Sequence, residues 1–206
     1  MCFKTGKVII ISAPSGSGKT TITRFLLSQN LNLHFSVSVC SREKRSNEVD
    51  GVDYHFIGLK EFKKRLKNNE LLEWEEVYKD SFYGTLREDV MSKLDSGKNI
   101  IFDIDVKGAL SLKRIFKHQC FTIYIDAPRQ VIEKRLRDRK TDSEKDIVSR
   151  LLKLKKEKMF MPQFDNVVVN IDLKKSRREV LFSVCLLYTS DAADEGLGVD
   201  LGGRRI

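Results

Sequence analysis

Ala13-Pro14-Ser15-Gly16-Ser17-Gly18-Lys19-Thr20 is the stretch that decides the fold, because it joins a continuous apolar run, residues 8–11, to a helical pattern that begins at Thr21. Strand, glycine-rich turn and helix in this order are typical of a phosphate-binding loop. The glycines let backbone N–H groups point inward at an anion, and the helix directs the positive end of its dipole at the same point. Lys19 can then reach the β- and γ-phosphates of a nucleotide, and the Thr20 hydroxyl can hold Mg²⁺.

The motif departs from the usual pattern at its first position, where Ala13 stands in place of glycine. Gly16, Gly18, Lys19 and Thr20 all remain. The alternative interpretation is a Ser/Gly turn that happens to precede a lysine. The strand before the turn and the helix after it favour the phosphate-binding loop.

Composition predicts a soluble globular domain of ordinary size. The chain has 206 residues, of which 41% are hydrophobic and 33% charged, and no apolar run approaches the ~20 residues that span a bilayer. The N-terminus shows no signal-peptide pattern. The four cysteines, Cys2, Cys40, Cys120 and Cys185, have neither CxxC nor metal-site spacing, so they predict isolated thiols in a reducing cytoplasm, with Cys120 in the core.

The formal net charge of +9 leaves two classes of partner open. A basic surface can bind nucleic acid, or it can neutralise several phosphates in one site. Aromatic residues are not interleaved with the basic ones, as a stacking platform for bases requires. The basic residues form local clusters instead, so the sequence favours a multi-phosphate site and no nucleic-acid partner.

Apolar strands that alternate with helices predict an α/β fold with a parallel, doubly wound sheet. Such sheets bind ligands at the carboxyl ends of their strands, where the glycine-rich loop and Asp103 and Asp105 fall. Between about residues 35 and 86 the pattern changes to a small β-rich insertion. Ser143 is predicted to cap a long helix that ends near Met161. The predicted strands are 8–11, 34–39, 53–57, 71–78, 82–85, 99–105, 120–125 and 167–169, and the predicted helices are 21–27, 59–67, 87–96, 106–117, 128–139, 143–161 and 174 onward.

The composition changes near the C-terminus. Residues 185–206 have neither helical nor strand periodicity and resemble a translated transposon-type sequencing-library adapter. We therefore expect residues 185–206 to be a disordered tail that is not part of the natural protein, a hypothesis that amplification of the gene from source DNA would test.

Several polar motifs, in one order along residues 5–184, resemble the guanylate kinase family. Alanine at the head of the phosphate-binding loop also occurs in that family, so Ala13 fits the resemblance. The matching stretches are residues 12–20, Phe35-Ser36-Val37-Ser38 with Arg42 and Arg45, Asp53-Tyr54-His55-Phe56, residues 68–74, Tyr83-Gly84-Thr85 and Asp103-Ile104-Asp105.

The resemblance implies a P-loop kinase that transfers the γ-phosphoryl group of ATP to GMP, with dGMP as a further acceptor. The expected organisation is a core of residues 1–34 and 87–184, a GMP-binding insertion of residues 35–86 and a helical lid of about residues 137–146. ATP is expected at Ala13, Pro14, Ser15, Gly16, Ser17, Gly18, Lys19, Thr20, Thr21 and Asn170, the last near the adenine.

The resemblance places GMP in the insertion. Arg42 and Arg45 can fork onto its phosphate, with hydroxyl donors from Tyr54 and Tyr83; without the resemblance, two arginines in a polar loop indicate a solvated surface. Glu73 accepts hydrogen bonds only, so it can take both the N1–H and the exocyclic amine of guanine, whereas adenine sets a lone pair against it. The remaining guanine contacts are expected from Ser38, Thr85 and Asp105.

The expected catalytic groups are cations that neutralise the transferring phosphoryl group. They are Lys19 and the lid arginines Arg135, Arg139 and Arg150. Asp103 is expected to orient Mg²⁺ together with Thr20, the alternative for Asp103 being a helix cap.

Two other function classes stay open: a kinase of another nucleoside monophosphate, and an inactive guanylate-kinase-like interaction module. The retained Lys19 and Thr20 and the lid arginines favour the enzyme. Monomer and homo-oligomer are both compatible with the sequence.

Overall fold

A computed structural model of the chain describes residues 6–46, 48–78, 80–138 and 143–196, without the side chains of Tyr78 and of residues 188–196. The strands are β1 (Val8–Ser12), β2 (Leu33–Phe35), β3 (Val39–Cys40), β4 (His55–Phe56), β5 (Leu71–Tyr78), β6 (Ser81–Leu86), β7 (Asn99–Asp103), β8 (Cys120–Asp126) and β9 (Asn166–Val169). The helices are α1 (Lys19–Leu27), α2 (Gly58–Lys67), α3 (Arg87–Asp95), α4 (Val106–Phe116), α5 (Arg129–Asp138), α6 (Glu144–Lys158) and α7 (Leu173–Gly196).

The main sheet has the strand order β2-β7-β1-β8-β9, and all of its pairs are parallel. Alternate residues of β1 enter two different apolar clusters. Ile10 packs with residues of α3 and α4 on one face, and Ile11 packs with residues of α1 and α7 on the other. The predicted parallel, doubly wound sheet is confirmed, and burial on both faces explains why β1 is continuously apolar.

A second sheet, of order β4-β3-β6-β5, lies in the region predicted to be a β-rich insertion. The predicted strand 34–39 is divided between the two sheets. β2 ends at Phe35 beside β7, the Ser36 N–H donates to the Ile101 carbonyl at 3.0 Å, and β3 begins at Val39 beside β4 and β6. A single alternating run could not reveal this division, because both halves have the same period.

Helix α6 begins with the predicted serine cap. The Ser143 hydroxyl accepts from the Asp146 N–H, and the Asp146 carboxylate accepts from the Ser143 N–H, which makes a capping box. The helix ends at Lys158, short of the predicted Met161, because Met161–Gln163 forms a 3-10 turn that contains a proline. Helices α5 and α6 share an apolar cluster of their own.

The C-terminal helix extends into the stretch of residues 185–206 that was expected to be disordered, of which residues 197–206 lie outside the described part of the chain. Helix α7 continues past Cys185 to Gly196, and the Leu187 carbonyl accepts from Lys7 Nζ at 2.8 Å. Leucine and alanine in this stretch favour propagation of a helix that has already formed, so an aperiodic sequence can still be helical. Among the described residues, no helix combines the length and the apolar character needed to span a membrane. Cys120 is buried, as predicted.

Candidate active site

The glycine-rich loop has the backbone geometry that its sequence predicts. Gly16 and Gly18 have φ angles of 87° and 97° in the left-handed region, and α1 begins directly after Gly18. The Ser17 N–H donates to the Pro14 carbonyl at 3.1 Å. A Cβ on Gly18 would lie 2.4 Å from Asn170 Nδ2, so glycine is also required there by close packing.

The loop is held by residues far away in the chain. Asn170 Nδ2 donates to the Ser17 carbonyl at 2.7 Å, and Arg135 donates to the same carbonyl at 3.3 Å and to the Asn170 carbonyl at 3.0 Å. Arg150 Nη1 donates to the Ser15 hydroxyl at 2.6 Å. Two of the three predicted lid arginines therefore contact the loop. The third, Arg139, lies outside the described residues, as do Lys140, Thr141 and Asp142.

Lys19 forms ion pairs with both predicted carboxylates. Its Nζ lies 2.9 Å from Asp103 Oδ1 and 3.5 Å from Asp105 Oδ1. Burial by itself lowers the pKa of Lys19, but Asp103 and Asp105 outweigh it and raise the pKa above its ordinary value. Lys19 is thus a permanent cation at the carboxyl ends of β1 and β7, where phosphate oxygens can replace the carboxylates.

Asp105 also contacts α6, a connection that the sequence analysis missed. Lys153 Nζ lies 2.9 Å from Asp105 Oδ2 and 3.2 Å from Glu157 Oε1. Burial opposes ionisation of Asp105, but Lys19 and Lys153 hold its pKa below the ordinary value. The spacing of Arg150, Lys153 and Glu157, at i, i+3 and i+7, could have shown that they share one helix face.

Arg42 lies in a cluster of the predicted GMP-phosphate residues, and most of its donors are already engaged. Its Nε donates to the Tyr83 hydroxyl at 2.9 Å, and its two Nη atoms donate to the Glu48 carboxylate at 2.7 and 2.6 Å. The guanidinium carbon lies 5.3 Å from the ring centroid of Tyr54 and 5.4 Å from that of Phe56. Arg42 is therefore fixed before any ligand binds.

Glu48 is a second residue that the sequence analysis missed. Besides its fork with Arg42, it accepts from the Arg45 N–H at 3.0 Å, while the Arg45 side chain is exposed. Hydrogen bonding from Arg42 lowers the pKa of Glu48 to about 2. No spacing rule distinguishes Glu48 from Glu43 in the same charged loop, so the sequence carried no signal for this role.

Glu73 and Thr85, both predicted to contact guanine, lie opposite each other on β5 and β6. The Thr85 hydroxyl donates to Glu73 Oε1 at 2.7 Å. Burial is the main cause that raises the pKa of Glu73 to about 7, and the Thr85 hydrogen bond acts in the opposite direction. Ser38 lies just before β3, where its carbonyl accepts from the His55 N–H at 2.9 Å.

Tyr54 links the Arg42 cluster to the phosphate-binding loop. Its ring lies 5.5 Å from that of Tyr83, in an edge-to-face arrangement. Burial raises the pKa of Tyr54 to about 12, and the next largest influence, in the opposite direction, is the charge of Lys19. The arginine–tyrosine cluster and the lysine of the loop are thus within electrostatic reach of each other.

The oxygen groups beside the loop fit a magnesium ion. The Thr20 hydroxyl is in the first turn of α1, and Asp103, at the end of β7, has a side chain that is 11% exposed. Within the described part of the chain, no group of three or more His, Cys, Asp or Glu side chains could form a complete metal cage. Mg²⁺ needs few protein ligands, because it keeps several waters and binds substrate phosphates.

The parallel sheet, the left-handed glycine loop and the lysine at its helix together define a P-loop protein that binds nucleoside phosphates. The guanylate kinase family model matches residues 5–182, and the chain belongs to this family.

Individual relatives agree with this placement. The chain is 48% identical over 178 residues to guanylate kinase of Bacteroides thetaiotaomicron, which covers 86% of this chain and 87% of that protein. It is 44% identical to guanylate kinase of Thermotoga maritima, covering 82% of this chain and 81% of that protein. The crystal structure of guanylate kinase from Anaplasma phagocytophilum matches with a TM-score of 0.72 and 27% identity, covering 89% of this chain and 86% of that one.

Proposed function

We propose that this protein transfers the γ-phosphoryl group of ATP to GMP, giving ADP and GDP, and that it also accepts dGMP. The observation that carries the proposal is the buried Glu73–Thr85 pair, in which Glu73 is only 9% exposed. Asp105 acts electrostatically on Glu73 and lies 3.5 Å from Nζ of the P-loop lysine, Lys19. A nucleotide-binding loop accounts for the binding of ATP alone. A buried carboxylate that accepts hydrogen bonds selects, in addition, the base of the acceptor nucleotide.

Guanine is recognised through its N1–H and exocyclic amine, which both donate to ionised Glu73. Thr85 orients the carboxylate, and Ser38 and Asp105 are assigned to the remaining polar edge of the base. Adenine sets a lone pair against the carboxylate and leaves buried groups unpaired, which can discriminate by about 10⁴.

The acceptor phosphate binds in the Arg42 cluster. The Tyr83 hydroxyl and Arg42 are held together at 2.9 Å, and Tyr54 is adjacent. The exposed Arg45 side chain is free to turn toward the incoming dianion. This arrangement neutralises the phosphate and points it toward Lys19 and the loop.

ATP binds with its phosphates in the loop of residues 13–21, where backbone N–H groups and Lys19 contact the β- and γ-phosphates. Thr20 and Asp103 would hold Mg²⁺, which supplies charge neutralisation between the phosphates when it is bound. Lys19 exchanges its carboxylate partners for phosphate oxygens, and Arg135, Arg139 and Arg150 add positive charge as the lid of about residues 137–146 closes. Asn170, fixed against the Ser17 carbonyl, is assigned to the adenine side.

The decisive experiment is a coupled assay of ADP release with ATP, Mg²⁺ and each of GMP, dGMP, AMP, CMP and UMP. We expect turnover with GMP and dGMP, and at least a hundredfold lower kcat/KM for the others. A different preferred acceptor would support the second class of kinase. No turnover with any acceptor, from folded protein, would support an inactive interaction module.

The Lys19→Ala variant is the matched test of the loop. We expect its turnover to fall by at least a thousandfold, because phosphoryl transfer depends on charge neutralisation at the γ-phosphate. Its affinity for GMP, measured by calorimetry, is expected to stay within about fivefold of the parent protein. Full activity would contradict the assignment of the loop to ATP.

A further inference from the structure

Helix α6 places three charged side chains on the face that meets the core. Arg150 reaches Ser15 of the loop at 2.6 Å, Lys153 reaches Asp105 at 2.9 Å, and Glu157 pairs with Lys153 at 3.2 Å. Glu157 is buried, so the C-terminal end of α6 is fixed against the core at this residue. The Lys153 side chain is 43% exposed. Of the two cations in this set, Lys153 is the one to which the proposed reaction assigns no role.

Asp105 is shared between two cations from different elements. Its Oδ1 lies 3.5 Å from Lys19 Nζ and its Oδ2 lies 2.9 Å from Lys153 Nζ. Asp105 is also the N-cap residue of α4, and its side chain is 36% exposed. When Lys19 turns to the phosphates of a nucleotide, Lys153 is the cation that stays beside Asp105.

We propose that Lys153 is a positioning residue that latches helix α6 to Asp105, so that the position of α6 and the presentation of Asp105 to the guanine depend on each other. The proposal rests on the proposed function, because Asp105 is assigned there to the guanine side. The physical basis is that Asp105 loses one of its two cations when Lys19 turns to the phosphates of a nucleotide, and a carboxylate without a cationic partner is not held in one position. Lys153, at 2.9 Å from Asp105 Oδ2, remains to hold it.

The test compares Lys153→Met with Lys155→Met in the full chain. Lys155 is on the same helix and exposed, so both variants remove one positive charge from α6 and keep a long side chain. We expect Lys153→Met to lower kcat/KM for GMP by at least tenfold, while its KM for ATP changes less than threefold. Lys155→Met is expected to stay within twofold of the parent protein in every parameter. Lys153→Arg, which keeps the cation, is expected to recover activity to within about threefold of the parent protein.

A second comparison separates a latch from a general role in helix stability. In an Asp105→Asn background, the further change Lys153→Met is expected to weaken GMP binding, measured by calorimetry with a non-hydrolysable ATP analogue, by less than twofold. Equal losses in both backgrounds, or equal behaviour of Lys153→Met and Lys155→Met, would overturn the latch. Because the parent protein is assayed in parallel, absence of GMP turnover in that protein would instead count against the proposed function.

Discussion

At the scale of single residues, the buried carboxylate of Glu73 has the largest functional consequence. Burial raises its pKa to about 7, with Glu75 and Asp105 adding repulsion and the Thr85 hydroxyl opposing them. Without ligand, Glu73 is therefore partly protonated at neutral pH. Guanine needs the ionised form, since a protonated carboxyl group would set a donor against its donors.

We predict that kcat/KM for GMP rises by about tenfold between pH 6 and pH 8, because the ionised fraction of Glu73 rises through its pKa of about 7. Initial rates at low GMP across this range provide the measurement. The second ionisation of the GMP phosphate, a phosphate monoester with a pKa of about 6, contributes to the same rise in kcat/KM. In Glu73→Gln only the phosphate ionisation remains, so the rise in kcat/KM should be centred near pH 6. Selectivity for GMP over AMP should be lost. An unchanged profile and an unchanged preference would rule out this role for Glu73.

Glu73 should also affect how the stability of the ligand-free protein depends on pH. Its folded pKa of about 7 lies above the ordinary value of 4.5 for a glutamate, so the unfolded chain releases the proton first as pH rises. The contribution of Glu73 to the free energy of unfolding therefore falls as pH rises from about 4.5 to about 7 and is level above that range. Glu73→Gln should lose this part of the pH dependence.

Glu48 acts on the acceptor phosphate through Arg42. We predict that Glu48→Gln raises KM for GMP by about tenfold or more, because a charge-assisted hydrogen bond contributes about 1.5–3 kcal/mol and Arg42 would no longer be held in place. We expect kcat to change less than threefold. Steady-state kinetics with varied GMP gives both values.

Glu43→Gln is the control for this change. Glu43 is in the same loop and is exposed, and Arg42 contacts its backbone carbonyl. Both variants remove one negative charge near the phosphate, so a purely long-range effect would change KM equally in the two. A lower KM in Glu48→Gln would show that Glu48 competes with the phosphate rather than positioning Arg42.

At the scale of elements, helix α4 shows how a local rule is reversed by packing. Gly108 lies in the first turns of this helix, where replacement of glycine by alanine ordinarily stabilises by about 1 kcal/mol. A Cβ at this position would lie 2.7 Å from Glu73 Oε2. The Glu73 carboxylate of β5 therefore rests against Gly108 and would have to move if a Cβ were added there.

We predict that Gly108→Ala raises KM for GMP by about tenfold, since Glu73 must leave the position that Thr85 gives it. KM for ATP should change less than twofold. Ser111→Ala, on the same helix, is the control for a general effect on α4. A variant with an unchanged KM for GMP and a higher melting temperature would show that Glu73 can move without cost.

At the scale of the whole molecule, the site is assembled from both sheets and from the two helices α5 and α6. Glu73 belongs to the second sheet, Lys19 to helix α1, which packs on the main sheet, and Arg135 and Arg150 to α5 and α6. Helices α5 and α6 have an apolar cluster of their own, whereas Leu72 of β5 packs in a cluster with residues of β1, β7 and α4. A ligand that contacts several parts should therefore stabilise their arrangement as well as occupy the cleft.

We predict that GMP at a hundred times its Kd raises the melting temperature by about 5–10 °C, since such binding contributes about 2.7 kcal/mol and each kcal/mol is about 2–4 °C for a chain of this size. Differential scanning calorimetry gives the shift. AMP at the same concentration should shift the melting temperature by less than about 2 °C. Equal shifts with both nucleotides would mean that the phosphate, and not the guanine, provides the binding energy.

The sequence by itself determined the main sheet, the glycine-rich loop and most residues of the candidate site. These features depend on contiguous residues: an apolar run marks a buried strand, and the loop motif places its lysine at the start of a helix. The Ser143 cap was equally local, and it is present where it was predicted. The roles assigned to the site residues remain predictions for the experiments above.

Only the tertiary structure decided which distant groups meet. It selected Glu48 rather than Glu43 for Arg42, joined Lys153 to Asp105, and brought Asn170 to Ser17, 153 residues away. It also divided one alternating run between two sheets. Periodicity in a sequence reports which face a residue occupies, but the partner on that face depends on the path of the whole chain, so these contacts could not be predicted from local pattern.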